Sequence, residues 1–323
     1  MRDRNQFGFR FGGGSMKLFL ACVLFFSGHF AFAQAAATDE KATTAEQKGT
    51  EKSASKKTGD IDDEITNARL RAVTGAKTNF SFWSQFNYAG GSILTPFSSQ
   101  RPQLNSQNNA DPTNISGQVS GKYRVTEHDS IIAGVGVQYT PPYTDPIQGN
   151  QDQSTTVQSP YVDWNHAVRW GQYQNVFDVA IQKYTLASDL NANLNWSWSV
   201  SHQLMREIGA SKKLSLGEAS SIGQDVYTSA GEGTGSIYLS VSVDPIVEYA
   251  FTEKLSFRTV YRLLQLNELS GLHDYWFVPR ETESMGLGYA ITRDIYIYPN
   301  IQWAWNHMTT DFTTFGFSTN INL

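Results

Sequence analysis

The chain has little that a disulfide-stapled, metal-binding or helical membrane protein would need. Its 323 residues contain one cysteine, Cys22. That residue falls in a stretch read below as an export signal, so the mature chain has neither a disulfide framework nor a thiolate metal site. Long apolar runs are missing too. Hydrophobic residues are 40% and the mean hydropathy is −0.37, which excludes a bundle of membrane helices. An excess of basic charge is also absent. The full chain carries 25 basic and 30 acidic residues; without residues 1–33 the balance is 21 against 29, a net of −8. Such a chain has no basic footprint, and nucleic acid is not an expected partner. No His/Asp/Glu spacing suggests a metal site, no glycine-rich loop cradles phosphate, and no cofactor is expected.

What is abundant is aromatic: 13% of the residues, with 8 Trp and 15 Tyr. A chain that is polar on average yet aromatic-heavy suits a wall with lipid on one side and water on the other. Lys17, the apolar run Leu18–Phe26 and Ala31-Phe32-Ala33 form the charged, apolar and A-x-A parts of a secretory signal peptide, residues 1–33, with Met16 as the expected start. The run is too short to span a bilayer. Residues 34–76 read as a flexible periplasmic leader. Residues 34–59 are Ala, Thr, Lys, Glu and Ser with almost nothing to bury. Asp60–Val73 has acidic residues first and Arg69 and Arg71 late, which suits one short helix.

From residue 77 to 323 the side chains alternate. The last stretch sets Phe315, Phe317, Ile321 and Leu323 on one parity, and Thr314, Gly316, Ser318, Asn320 and Asn322 on the other. Successive side chains of a strand face opposite ways, so this strand has one greasy and one wet face. The same device predicts twelve strands, near 78–89, 114–125, 130–140, 157–169, 174–184, 193–206, 212–219, 236–249, 255–266, 276–289, 295–305 and 312–323. Many are about ten residues long, the length a tilted strand needs to cross a bilayer. The seventh is weak, with only Leu214 and Leu216. The tenth puts Glu281 and Glu283 on the parity of Leu287 and Tyr289, which requires a bulge or a position beyond the hydrocarbon band.

Three copies of one phrase punctuate the run: Tyr123-Arg124-Val125-Thr126-Glu127, Tyr249-Ala250-Phe251-Thr252-Glu253 and Tyr289-Ala290-Ile291-Thr292-Arg293. Each precedes a new alternating run and so marks a tight turn, with Tyr at headgroup level. Weaker turns fall at Gly171 and near Ala210. The spacing of about 40 residues also fits a propeller blade, but a blade packs four short strands where each interval here holds two long ones. Twelve strands leave five short turns and six longer loops, and place both termini on the short-turn side. The loop 90–113 either folds into a pore or lies on the surface; both readings stay open.

The wet face concentrates charge. Pairing Phe251 with Leu255 sets Glu248 opposite Arg258 and Asp244 opposite Arg262. With Lys122, Arg124, Asp163 and Asp178, and with Arg169 nearby, they form the expected pore lining. The lining reads either as a constriction that sorts solutes or as an ion-pair network filling a closed lumen. Its signs are mixed, which argues against strong selectivity. No catalytic residues are expected: His273-Asp274 and His307 with Asp311 fall on loops without a nucleophile phrase, His166 and His202 fall on strands, and His128 on a turn.

Together the signal peptide, the alternating strands, the Tyr-x-apolar-Thr turns and the terminal Phe-x-Phe…Ile-x-Leu strand resemble a bacterial outer-membrane β-barrel, porin-like, over about residues 77–323. The last residue, Leu323, departs from the usual aromatic. Asn165-His166-Ala167-Val168 does not match a barrel phospholipase's His-x-Ser-Asn-Gly phrase, and acids interrupt the inward Arg tracks expected of acidic-sugar porins. The resemblance implies an all-β, closed antiparallel barrel in the outer membrane. It also implies insertion by the barrel assembly machinery and lipopolysaccharide around the outer half. The function expected is passive diffusion of small hydrophilic solutes. The alternatives are a non-conducting structural or adhesive barrel showing the loops 141–155 and 221–235, and an outer-membrane hydrolase.

Overall fold

In the computed structural model, the described residues are 8–10, 65–74, 78–98, 101, 113–142, 144–145, 149–150, 153–228, 237–262, 264–269, 275–277, 282–305 and 308–323. The expected signal peptide with Cys22, the expected leader up to residue 64, Glu281, His273-Asp274 and His307 lie outside them, apart from the short strand Gly8–Arg10.

Twelve strands make the wall: β1 Phe80–Ser92, β2 Asn114–Arg124, β3 Asp129–Thr140, β4 Ser154–Trp170, β5 Tyr173–Lys183, β6 Leu194–Ile208, β7 Leu214–Tyr227, β8 Ile237–Ala250, β9 Leu255–Arg262, β10 Thr282–Ala290, β11 Ile295–Ala304 and β12 Thr314–Asn322. Each pairs antiparallel with the next. The last pairs with the first, Ile321 opposite Ser84 and Phe317 opposite Tyr88. The sheet is therefore a closed barrel, and closure satisfies the backbone groups that an open edge would leave to hydrocarbon. Beyond the wall the ladder continues through Leu264–Leu269 and Tyr275–Phe277 to Gly8–Arg10.

The outer parity is apolar and uncovered. Phe82, Ile131, Val162, Trp164, Ile181, Val247 and Leu287 are all exposed. A water-soluble sheet would cover such a band; a bilayer is the solvent it fits. On the inner parity stand Gln118, Ser120, Asn165, Ser199, Ser201, Gln203, Ser242 and Asn300.

The repeated phrase builds its turn the same way each time. Val125 N donates to Asp129 O, Phe251 N to Leu255 O and Ile291 N to Ile295 O, at 2.9–3.0 Å. The threonine hydroxyl then accepts from backbone further round the turn: Asp129 N to Thr126, Leu255 N to Thr252 and Asp294 N to Thr292, at 2.9–3.2 Å. Threonine recurs because its Oγ1 closes the turn locally. The two weaker turns instead use left-handed residues, Gly171 (φ 60°) and Gly209 (φ 73°).

Several strand boundaries differ from the pattern. β7 runs to Tyr227, not residue 219, so the first part of the expected loop 221–235 is wall. Its outer face carries Glu218 and Ser220 rather than a clean apolar set, which hid it. The expected strand 276–289 is a wall strand only from Thr282. No bulge re-phases it: the ladder to β9 is unbroken from Tyr289 to Thr282, so Glu283 faces outward, accepting a hydrogen bond from Thr259 Oγ1 at 2.8 Å. A bulge does re-phase β4. At Ser159 (φ 52°) the parity switches, so Val157 faces out above it while Tyr161 and Asp163 face in below.

Glycine at 288 answers a close approach. A Cβ there would lie 1.8 Å from the Tyr296 hydroxyl, and Tyr296 is fully buried against Ala72 and Ala290. Gly288→Val is expected to destabilise the barrel by about 1–3 kcal/mol through overpacking. The check is the denaturant midpoint of vesicle-inserted protein; a midpoint equal to that of the parent would contradict this packing.

Candidate functional site

The lumen is occupied. Helix α1, Ala68–Thr74, and the three residues before it lie inside the barrel at its short-turn end. Of the expected helix over 60–73, residues 60–64 lie outside the described residues; from residue 65 on it begins only at Ala68, runs to Thr74 and does not hang free. Its start is set by Asn67, whose Oδ1 accepts from Arg69 N at 3.1 Å and Leu70 N at 3.0 Å. That is an N-cap, which stabilises a helix by about 1 kcal/mol. Seven residues do not make a helix that stands alone in water. The barrel supplies the rest.

One apolar side of the segment meets the wall formed by β4–β8. Ile65 and Leu70, both 1% exposed, pack with Ala167, Val176, Met205 and Ile246. The opposite side puts Ala72 against Ala290, Tyr296 and Tyr298 of β10 and β11. Full burial of Ile65 and Leu70 contributes about 1.5–3 kcal/mol each. Contacts on both sides mean that the segment crosses the lumen. A helix with side chains is about 10–12 Å wide, enough to block much of so small a bore.

Polar groups fix the segment in place. Gln174 Oε1 accepts from Thr66 N at 3.0 Å and Asn67 N at 2.9 Å. Thr66 Oγ1 donates to Glu207, which also receives Arg169 Nη2 at 2.8 Å. Asn67 Nδ2 donates to Glu248 Oε2 at 3.1 Å, and Arg69 Nη1 to Gln203 Oε1 at 2.9 Å. At the far end Lys122 Nζ donates to the last helical carbonyls, Val73 O at 3.1 Å and Thr74 O at 2.7 Å. A cation there also suits the helix dipole.

All eight expected lining residues stand on the inner parity; of the two expected pairs, Glu248 with Arg258 is in register and Asp244 with Arg262 is not in the regular ladder. Lys122 is spent on α1. Glu248 and Arg258 oppose each other in register, with Arg258 Nη1 3.4 Å from Glu248 Oε2. Glu248 also holds Asn67, so the pair serves the segment as well as the wall. Asp244 and Arg262 do not oppose each other within a regular ladder. Pairing stops at Ile246–Val260 and resumes one residue out of step at Val243–Leu264, so the two flank an irregularity. Asp178 accepts from Asn165 Nδ2 at 2.6 Å and Ser201 Oγ at 3.1 Å. Asp163 lies next to Asp178 in the wall, opposite Ile132. Arg124 faces in opposite Ser130.

Three important residues escaped the pattern: Gln174, Glu207 and Asn67. Glu207 was legible, because the inner parity of β6 continues past Gln203 through Met205. Asn67 was legible as a cap. Nothing local marks Gln174 as their partner.

The three described histidines, His128, His166 and His202, stand apart from the lumen. His166 Nδ1 lies 2.8 Å from Asp129 Oδ1, on the outside near a short turn. His202 stacks on Phe177 at 4.2 Å, with Nε2 3.3 Å from Asn175 Oδ1, on the lipid-facing parity. His128 Nδ1 sits 3.1 Å from Ala167 O. Among the described residues no group of three or more His, Cys, Asp or Glu is placed to hold a metal.

No protein-family model matches the chain, and no curated protein matches it. Solved structures with similar backbones include an outer-membrane channel from Pseudomonas putida F1. It has 8% identity and a TM-score of 0.45 over 77% of this chain and 98% of that one. The NanC porin has 12% identity and a TM-score of 0.40 over 75% and 97%. The translocator domain of the autotransporter NalP from Neisseria meningitidis has 10% identity and a TM-score of 0.36 over 81% and 95%. All three scores stay below 0.5, and the barrel assignment rests on the closed ladder itself.

Proposed function

We propose that the chain is an outer-membrane channel for passive diffusion of small hydrophilic solutes, held shut at its short-turn mouth by its own segment 65–74. The observation that carries this is the anchoring of α1 across a polar lumen. A barrel needed only as a scaffold could fill its interior with apolar side chains. Here most of the inner wall is Ser, Asn, Gln and charge, and the filling is a separate piece of chain. Lys122, Arg124, Asp163, Asp178, Asp244, Glu248, Arg258 and Arg262 line the path, with Lys122, Glu248 and Arg258 holding the segment. In this reading the short turns, the leader and both termini are periplasmic, and lipopolysaccharide surrounds the outer half.

Liposome swelling with a graded sugar series tests the reading. Vesicles carrying a folded chain without residues 34–74 are expected to swell in small sugars and to resist larger ones. No swelling from correctly folded barrel would overturn it.

A further inference from the structure

The lipid-facing parity of the wall is interrupted by polar side chains on β6 and β7. From residue 218 to 224 the outward positions of β7 are Glu218, Ser220, Ile222 and Gln224, so three of the four are polar. β6 sets His202 opposite Ser220 and Trp198 opposite Gln224. β5 adds Asn175, opposite Leu204. Trp198 Nε1 donates to Gln224 Oε1 at 2.9 Å, which leaves the Gln224 NH2 group to donate elsewhere. Glu218, Ser220, His202 and Gln224 are half-buried, not sealed. Among the described residues no basic group forms an ion pair with Glu218.

These groups lie within the hydrocarbon band. Tyr249, read as standing at headgroup level, is opposite Leu214 at the start of β7. Glu218 stands four residues further along β7, and Ser220 six. At about 3.3 Å per residue and a tilt of about 40°, they lie about 10 and 15 Å from the headgroups, inside a band about 25 Å tall. The outward acids elsewhere differ. Asp129 sits at a short turn, held by Thr126 and His166. Glu283 is the second residue of β10, at the long-loop end, and accepts from Thr259.

An ionisable group facing lipid tails is costly, and membrane proteins place such groups where another polar group meets them. The exposed groups here complement themselves. The Glu218 carboxylate accepts, the Gln224 amide donates, and the Ser220 hydroxyl does both. Two barrels in one membrane point the same way, so a two-fold axis along the membrane normal brings one face onto its own copy. We propose that the outward face of β5–β7 is the interface of a two-fold dimer with a second copy of this chain. Glu218, Ser220 and Gln224 of each copy cover those of the other. The dimer does not depend on whether the lumen conducts.

Single-cysteine cross-linking in vesicles at low protein-to-lipid ratio tests it. With Cys22 replaced by Ala, Ser220→Cys is expected to join two chains under mild oxidation. Thr319→Cys, on the outward face of β12 across the ring of twelve strands, is expected to stay single. Photobleaching of singly labelled chains in the same vesicles is expected to show two steps. Glu218→Leu and Gln224→Leu, each checked for folding by heat-modifiable gel migration, are each expected to weaken self-association about tenfold or more. One-step bleaching of the parental chain would leave this face to lipid or to a different protein and overturn the dimer. Three steps, equal linking of Thr319→Cys, or unchanged association in both folded leucine variants would overturn it too.

Discussion

Removing residues 34–74 is expected to convert a nearly silent barrel into a conducting one. Single-channel recording in planar bilayers should show long closed periods for the full chain and steady conductance, several-fold higher on average, for the shortened chain. The reason is geometric. The segment meets β4–β8 on one side and β10–β11 on the other, so solute has to pass it or displace it. The wall should survive its loss, because β12 pairs with β1 without help from the segment. The polar groups it leaves behind, Gln174, Glu207, Glu248 and Lys122, would be rehydrated by the water that replaces it, so no large desolvation cost remains. Equal conductance of the two chains would show that the segment blocks nothing.

Glu248→Ala is expected to be among the most damaging single substitutions, at about 3–5 kcal/mol. Glu248 and Arg258 are nearly sealed from solvent, with side chains 6% and 5% exposed. Taking away the carboxylate leaves a buried guanidinium without its counter-charge, which costs more than the pair itself contributes. Asn67 also loses an acceptor, so the helix is loosened at its start. Denaturant unfolding of vesicle-inserted protein measures the loss. Adding Arg258→Met should recover much of it, since the uncompensated charge is then gone. A loss below about 1 kcal/mol for Glu248→Ala alone would mean that water reaches the pair.

The wall was legible because period-two alternation is long-range redundant: each strand repeats the message of its neighbours. Phe315, Phe317 and Ile321 of β12 announce the outer face, and the Tyr-x-apolar-Thr phrase announces the turns. The irregular places were less legible for physical reasons. β7 has small inner residues, Ala219, Ser221 and Gly223, and polar outer ones, so its two faces barely differ. The parity switch in β4 depends on one left-handed residue, Ser159, of a type that seldom adopts that backbone. The residue types of the lining were readable, and so was the Glu248–Arg258 register. What they hold was not. The order of charges over 60–73 suits a helix, but residues 65–74 have too few apolar positions to announce a buried one, and what stabilises it comes from strands that begin eighty or more residues later, with Lys122 between. A segment whose stability is supplied by the lumen carries little local trace of it.

The most direct test of the luminal segment is a cross-link. Ala72 of α1 and Ala290 of β10 belong to one buried cluster. With Cys22 replaced by Ala, the pair Ala72→Cys and Ala290→Cys would be the only thiols in the chain. The account predicts that mild oxidation joins them in the folded, membrane-inserted protein and holds the channel shut, and that reduction restores parental gating. Thiols that stay open to a membrane-impermeant reagent and never join would contradict a segment seated inside the barrel.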